Sequence, residues 1–306
     1  MIINAVDHWP LFEELIRGEQ EVYGPDCQLH LLLSLAPEAS DVERVWLAGT
    51  YGAHHCVPSA WAVWQAFRPA EVVREPGKLF EWLQENWTAL PVRPEMRSHR
   101  MVAKRHQCLY DFAVYALGES WRTGTYQEVW EDAIESVKYM GRYMNIKYME
   151  LLRRIARPDM VLSDMRAKNG WSPRIALGLF FPSEIANIIA DKKNNTQEAI
   201  NLTEKCATEV IQHLAERGIT VSYFQLQVVM CNMREALLGT FYPAAGMDEE
   251  MDYIKIAETK FDMSHVWETR KRIFPHQYLG ELNGWFGLRQ SKYQEWKNKG
   301  RAIGFV

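Results

Sequence analysis

Cysteine is scarce in this sequence, and no two cysteines form a C-x-x-C motif. The five cysteines are Cys27, Cys56, Cys108, Cys206 and Cys231. An odd and widely spaced set argues against a disulfide framework and against a zinc ribbon. Long hydrophobic runs are also missing, since the longest, residues 29–36, is far shorter than the roughly 20 apolar residues of a membrane-spanning helix. We therefore expect no membrane partner.

Targeting and catalytic motifs are missing as well. The first seven residues lack a basic stretch followed by an apolar one, so we predict no secretory leader and a cytoplasmic location. The chain contains no H-E-x-x-H, no E-x-x-H pair, no Walker loop and no serine elbow. These absences disfavour metalloproteases, di-iron enzymes, nucleotide hydrolases and esterases.

Aromatic residues, by contrast, are abundant, with 12 Trp, 13 Tyr and 12 Phe among 306 residues. Apolar residues recur mostly at helical spacing, which predicts an all-α protein. The connector between Pro91 and Pro94 suggests a first boundary. The predicted parts are an aromatic-rich helical subdomain (residues 1–92), a helical core (93–260) and a C-terminal helical extension (261–306).

Two features of the first subdomain could shape a ligand site. Its aromatic-rich stretch is broken by Gly49, Gly52 and Pro58, and Pro58 can start a helix that presents tryptophans. His54 and His55 follow the second glycine. They could contact a ligand or a phosphate, or they could belong to a structural loop.

Charge is distributed unevenly along the chain. Residues 1–92 hold 5 Lys/Arg against 13 Asp/Glu, residues 93–174 hold 15 against 10, and the remainder is nearly balanced. A basic middle between acidic flanks predicts a local site for an anion, namely DNA, although ordinary solvated helix faces would give the same counts. Arg97, Arg100 and Lys104 have helical spacing and are predicted to face DNA phosphates, or else to pair with acidic residues.

The segment 139–147 is the strongest single feature of the basic region. A helix predicted to end near Lys138 is followed by Gly141, and another helix begins soon afterwards, at about Asn145. Glycine permits a tight reversal and lets a ligand approach the backbone. The free N–H groups at the start of a helix bind phosphate, and Arg142 and Lys147 add positive charge beside them.

The distance from this turn to Asp164 resembles the core of helix-hairpin-helix DNA glycosylases. In that superfamily a glycine-rich hairpin grips the DNA backbone, and an aspartate about two dozen residues later serves the chemistry. Here the separation from Gly141 to Asp164 is 23 residues. The first glycine of the hairpin would fall at Tyr139, which is a departure from the pattern.

Three segments resemble one branch more closely, the phage thymine-hypermodification enzymes. These are the amino acid:DNA transferases, or alpha-glutamyl/putrescinyl thymine pyrophosphorylases. The segments are residues 90–98 (LPVRPEMRS), residues 141–143 (GRY) with Lys147, and residues 171–174 (WSPR). The likeness covers roughly residues 45–260. It implies a transferase that works in the cytoplasm of the host.

The resemblance implies that an amine replaces pyrophosphate on a 5-pyrophosphomethyl-uracil base in DNA. The partners would be double-stranded DNA carrying this modified pyrimidine and a free amino acid or polyamine. We expect no organic cofactor, and Mg²⁺ is the candidate metal for the leaving pyrophosphate. The acidic segment 248–252 could bind a divalent cation or the amine, or be a solvated loop.

Each step of that reaction has candidate residues. Asp164 would deprotonate the amine, although it could also be a helix N-cap. The candidate groups for the pyrophosphate and the DNA are Gly141, Arg142, Lys147, Arg166 and Arg174. The candidate walls for an extruded base are Trp61, Trp64 and Trp171.

Two other functions remain open. A base-excising glycosylase would use Asp164 to stabilise an oxocarbenium ion and would leave an abasic site. A non-catalytic helical DNA-binding protein would need the basic residues but not Asp164.

Overall fold

The computed structural model describes residues 8–20, 26–94, 96–237 and 245–274. These residues form fifteen α-helices and no strand, so the all-α class is confirmed. The α-helices are α1 (Trp9–Gln20), α2 (Cys27–Leu35), α3 (Asp41–His54), α4 (Val57–Ala66), α5 (Pro69–Arg74), α6 (Pro76–Glu85), α7 (Val102–Leu117), α8 (Tyr126–Ser136), α9 (Arg142–Ile155), α10 (Trp171–Gly178), α11 (Ser183–Ile189), α12 (Gln197–Glu216), α13 (Tyr223–Leu237), α14 (Ala245–Ala257) and α15 (Ser264–Ile273). Short 3-10 helices span Trp87–Ala89, Arg97–Arg100 and Ser120–Arg122. None of the helices in these ranges is long and apolar enough to cross a membrane.

The chain divides into two compact units. Of the described residues, unit 1 holds 8–20, 26–27, 162–237, 245–248 and 274, and unit 2 holds 28–94, 96–161 and 249–273. The connector at residues 91–94 lies inside unit 2. Among the described residues, most of α14 and all of α15 also belong to unit 2.

The core of unit 1 is built on aromatic contacts of α1. The Trp9 and Phe180 rings lie 4.8 Å apart between centroids, and the Phe12 and Phe180 rings lie 5.0 Å apart. Thr196 caps α12, because its hydroxyl accepts the Ala199 N–H at 3.3 Å. Such an N-cap satisfies one of the N–H groups that a helix leaves without a partner.

The core of unit 2 depends on two glycines that the sequence marked as breaks. Gly49 and Gly52 instead lie within α3, so that prediction was wrong. A Cβ atom built on Gly49 would lie 2.8 Å from the Phe112 side chain of α7, and one on Gly52 would lie 2.9 Å from it. Because Phe112 fills this space, α3 needs glycine at both positions. Pro58, by contrast, stands in the first turn of α4, as predicted.

Candidate nucleic-acid interface

The hairpin turn, residues 137–141, connects α8 to α9 in unit 2. Tyr139 has a φ of 66°, which is the left-handed conformation that glycine adopts most readily. This is the position at which the resemblance placed the first glycine of a hairpin. The Tyr139 side chain is 44% exposed. The chain therefore forms a left-handed turn here without glycine.

Gly141 follows as the N-cap of α9, with φ −84° and ψ 167°. The helix begins at Arg142, about three residues earlier than the apolar pattern indicated. A Cβ atom built on Gly141 would meet no atom within 4 Å, and glycine has no side chain with which to cap the helix. The first N–H groups of a helix have no intrahelical acceptor and attract anions. Gly141 therefore provides no side-chain cap for this end of α9.

Two lysine–tyrosine pairs flank Gly141. The Lys104 ammonium lies 5.5 Å from the centre of the Tyr139 ring, and the Lys147 ammonium lies 5.8 Å from that of Tyr143. Lys104 comes from α7, whereas Lys147 lies on α9 and is only 4% exposed. Both pairs fall within the range of cation–π attraction. The turn therefore combines positive charge with exposed aromatic surface.

A buried histidine lies beneath each of these tyrosines. The His99 ring is 6.5 Å from that of Tyr139, and the His55 ring is 5.1 Å from that of Tyr143. Each histidine is 1% exposed, and within the described residues both ring nitrogens of His99 and Nδ1 of His55 have no hydrogen-bond partner. Burial, with Arg105 as a further cause, lowers the pKa of His99 to about 4. Burial also holds the pKa of His55 well below its ordinary value, with Arg93 and Lys147 contributing.

The Asp164 loop, residues 162–170, lies in unit 1 and is held by Glu204 of α12. The Glu204 carboxylate accepts the Met165 N–H and the Ala167 N–H, each at 2.7 Å. Met165 and Ala167 are buried, and Asp164 and Arg166 alternate with them. The clamp therefore holds Met165 and Ala167 in the core of unit 1, while Asp164 and Arg166 are half-buried.

Asp164 is 35% exposed at its side chain and interacts with Arg166. Its Oδ1 atom accepts the Arg166 N–H at 2.9 Å and lies 3.3 Å from the Arg166 Nε. Arg166 has a φ of 51° and Asn169 a φ of 60°. The next helix, α10, begins at Trp171 with Gly170 as its N-cap. Asp164 is thus not a helix N-cap, and the loop contains two non-glycine residues in the left-handed region.

Gly141 and Asp164 lie in different units. Each unit has its own geometry: the hairpin turn in unit 2 offers helix N–H groups and cations, and the Asp164 loop in unit 1 offers a carboxylate. That the two features serve one site stays a prediction.

Arg174 of α10 is occupied by contacts within unit 1. It is 2% exposed, and its guanidinium donates to the Ile189 carbonyl at 2.7 Å and the Asn194 carbonyl at 2.8 Å. It also donates to the Asn195 Oδ1 atom at 3.2 Å. Arg174 therefore fastens the segment that follows α11, and its donors are directed to the protein.

Other candidate residues are also buried. The Trp61 and Trp64 rings are stacked at 4.9 Å, and their residues are 5% and 9% exposed. His54 is fully buried, and its Nδ1 atom lies 2.8 Å from the Thr50 carbonyl oxygen. Burial, with Arg105 as a further cause, holds the pKa of His54 well below its ordinary value. These rings pack inside unit 2 and present little surface to a ligand.

The remaining candidates, three arginines and one tryptophan, differ in position and exposure. Arg100 is exposed and donates to the Pro94 carbonyl at 3.4 Å. Arg97 begins a 3-10 helix, but its side chain lies outside the described residues. Arg142 is the first residue of α9 and is half-buried. Trp171 is 37% exposed, the largest exposure among the three candidate tryptophans.

Sequence reasoning missed a buried ion cluster in unit 2. Arg93 pairs with Glu249 at 2.9 Å and with Glu250 at 3.5 Å, and Glu250 also accepts the Val57 N–H at 3.1 Å. Burial lowers the pKa of Arg93, but the two carboxylates outweigh it and hold this pKa well above its ordinary value. Burial raises the pKa of Glu250 to about 7. The acidic run 248–252 was the only signal, and two of its members bind an arginine rather than forming a solvated loop.

The described residues contain no group of three or more His, Cys, Asp or Glu side chains suited to a metal ion. No protein-family model matches the chain, and no curated protein is significantly similar to it.

Proposed function

We propose that the protein is a DNA base-modifying transferase that replaces pyrophosphate on 5-pyrophosphomethyl-uracil with the amine of an amino acid or polyamine. The observation that carries the proposal is the hairpin turn, in which a left-handed residue at 139 is followed by Gly141, the glycine N-cap of α9. The resemblance of the sequence supplies the reaction, and this turn supplies a means of holding DNA.

The hairpin turn suits a phosphodiester backbone. The N-terminal end of α9 carries partial positive charge, which attracts phosphate groups. Lys104 adds a full charge near the turn, and the exposed Tyr139 and Tyr143 rings offer surface to sugars or bases. None of these contacts depends on base sequence. The turn would therefore position the duplex rather than select the base.

The reaction needs a base and a stabilised leaving group. The amine nitrogen attacks the methylene carbon attached to C5 of uracil and forms a C–N bond, while the C–O bond to pyrophosphate breaks and its electron pair leaves with pyrophosphate. Asp164 accepts the proton that the amine loses. Arg166, 3.3 Å from that carboxylate, is a candidate cation to balance the developing charge.

Mass spectrometry of nucleosides tests the proposal. Wild-type protein is incubated with duplex DNA containing 5-pyrophosphomethyl-uracil and with glycine, serine, glutamate or putrescine in turn. We expect an intact, amine-bearing nucleoside and released pyrophosphate. Asp164→Asn should lower the rate about 10²–10⁴-fold without a comparable loss of DNA affinity.

Asp159 provides a matched control, because it also pairs with an arginine two residues away and is 64% exposed at its side chain. Asp159→Asn should retain the wild-type rate. Abasic sites in place of the amine-bearing nucleoside would identify a glycosylase and overturn the proposal. DNA binding without any product would favour a non-catalytic binding protein.

The role of the turn is tested separately by DNA affinity. Lys104→Ala should weaken duplex binding and reduce the slope of log K against log salt by about one. Lys78→Ala is the control, since Lys78 is exposed and already pairs with Glu75. Equal affinity and equal slope in wild type and Lys104→Ala would remove the hairpin turn from the DNA interface.

A further inference from the structure

An exposed tryptophan of unit 1 lies close to two cations from different elements. Trp171, the first residue of α10, is 37% exposed. The Lys192 ammonium lies 4.8 Å from the centre of its ring, and the Arg234 guanidinium lies 5.0 Å from it. Lys192 stands between α11 and α12, and Arg234 stands on α13. We call these three residues the tryptophan platform.

The position of Lys192 is fixed by α10 itself. Arg174 stands one helical turn after Trp171, and its guanidinium binds the chain on both sides of Lys192, at the Ile189 and Asn194 carbonyls. Trp171 and Arg174 both lie on α10. The hydrogen bonds of Arg174 therefore hold the Lys192 segment beside the Trp171 ring. An ordinary exposed lysine has no such bracing.

The platform has more positive charge than its neighbours neutralise. Arg234 pairs with Glu235 at 2.6 Å, but the described residues provide no ion pair for Lys192 within 4 Å. Lys192 therefore keeps its positive charge beside the ring, and a bound anion would be attracted to it and to Arg234. A ligand that suits the platform has a flat aromatic part for the ring and a phosphate for the cations.

We propose that the tryptophan platform binds a single unpaired nucleotide of DNA, with the base on the Trp171 ring and a phosphate at Lys192 and Arg234. The inference rests on the proposed function, because it names where an unpaired nucleotide of that DNA substrate is held. Base–aromatic stacking tolerates any base, since every base has a flat face. Lys192 and Arg234 are thus the anion-binding residues, in place of Arg174, whose donors are directed to the protein.

Binding of fluorescein-labelled single-stranded dT12, followed by anisotropy, tests the inference without any chemistry. Trp171→Ala should weaken binding about 5- to 150-fold, the range expected for the loss of one stacked base. Trp171→Phe should retain most of the affinity. Lys192→Gln and Arg234→Gln should each reduce the slope of log K against log salt by about 0.7, the value for one phosphate of a single strand.

Trp267→Ala is the matched control, because Trp267 is also partly exposed and has an arginine, Arg270, 5.9 Å from its ring centre. It should bind dT12 as the wild type does. Melting temperatures show which variants fold. If Trp171→Ala does not fold, the affinities of Trp171→Phe, Lys192→Gln and Arg234→Gln test the inference instead. No binding of dT12 by the wild type at low salt, or equal losses in Trp171→Ala and Trp267→Ala, would overturn the inference.

The outcome is separable from that of the proposed function. Trp171-dependent binding of dT12 by a protein that forms no amine-bearing nucleoside would support the platform and refute the transferase. If the wild type transfers the amine and Trp171→Ala binds dT12 as tightly as the wild type, the transferase is supported and the platform is refuted.

Discussion

The hairpin turn and the Asp164 loop both contain left-handed backbone, but they differ in the side chains that bind their backbone N–H groups. Both contain non-glycine residues in the left-handed region, Tyr139 in one and Arg166 and Asn169 in the other. In the hairpin turn the N-cap of α9 is Gly141, which has no side chain with which to bind the first N–H groups of the helix. In the Asp164 loop two N–H groups are bound by the Glu204 side chain. The first region therefore starts a helix without a side-chain cap, whereas the second is held by a carboxylate from another helix.

Removal of the clamp should have the largest effect. Glu204→Ala leaves the Met165 and Ala167 N–H groups without their acceptor, and each lost partner of a partly buried N–H costs about 1–3 kcal/mol. We expect the free energy of unfolding to fall by roughly 2–6 kcal/mol in chemical denaturation, which is the sum for two such groups. Glu216→Ala, at the exposed end of the same helix, should change it by less than about 0.5 kcal/mol. Equal stability of the two variants would mean that the loop does not depend on Glu204.

The next largest effect is the loss of stability in acid that His99, beneath Tyr139 of the hairpin turn, should cause. The folded-state pKa of His99 is about 4, below the value of about 6.5 for an unfolded histidine. The unfolded chain therefore binds more protons between pH 6.5 and pH 4, and stability falls as pH is lowered through that window. We expect His99→Leu to lose about 1–2 kcal/mol less than the wild type between pH 7 and pH 5. Parallel pH profiles of denaturation midpoints would contradict a buried, neutral His99.

The smallest effect compares glycine with alanine at each left-handed position. Because a side chain in the left-handed region costs roughly 1–2 kcal/mol, Tyr139→Gly should be more stable than Tyr139→Ala by about 1 kcal/mol. Arg166→Gly should likewise be more stable than Arg166→Ala by about 1 kcal/mol. Tyr143, inside α9, should show the opposite sign, since alanine is the better helix former. A similar sign at Tyr143 would show that the difference does not come from backbone conformation.

The sequence predicted the fold class well, because helical spacing is a local property. The Thr196 cap of α12 and the start of α4 near Pro58 also carry local signals. Gly49 and Gly52 were misread, since the reason for both glycines is Phe112, which belongs to another helix. The early start of α9 was missed because its first turn presents Arg142 and Tyr143 and begins without an apolar repeat.

The candidate site was predicted less completely, because its decisive contacts are distant in sequence. Glu204 lies 39 residues from Met165, and Glu250 lies 157 residues from Arg93. No pattern within either segment indicates these pairs. The type of a basic residue also does not reveal its partner: Arg174 binds carbonyl oxygens, whereas Lys104, equally basic, reaches the hairpin turn.

The contact between α3 and α7 has a consequence for how this protein can change. Phe112 fits only because positions 49 and 52 have no side chain. We therefore expect the residues at positions 49, 52 and 112 to covary. Any sequence of this fold with a larger residue at 49 or 52 should have a smaller one at 112. A homologue that combines alanine at both glycine positions with phenylalanine at 112 would need a wider separation of the two helices.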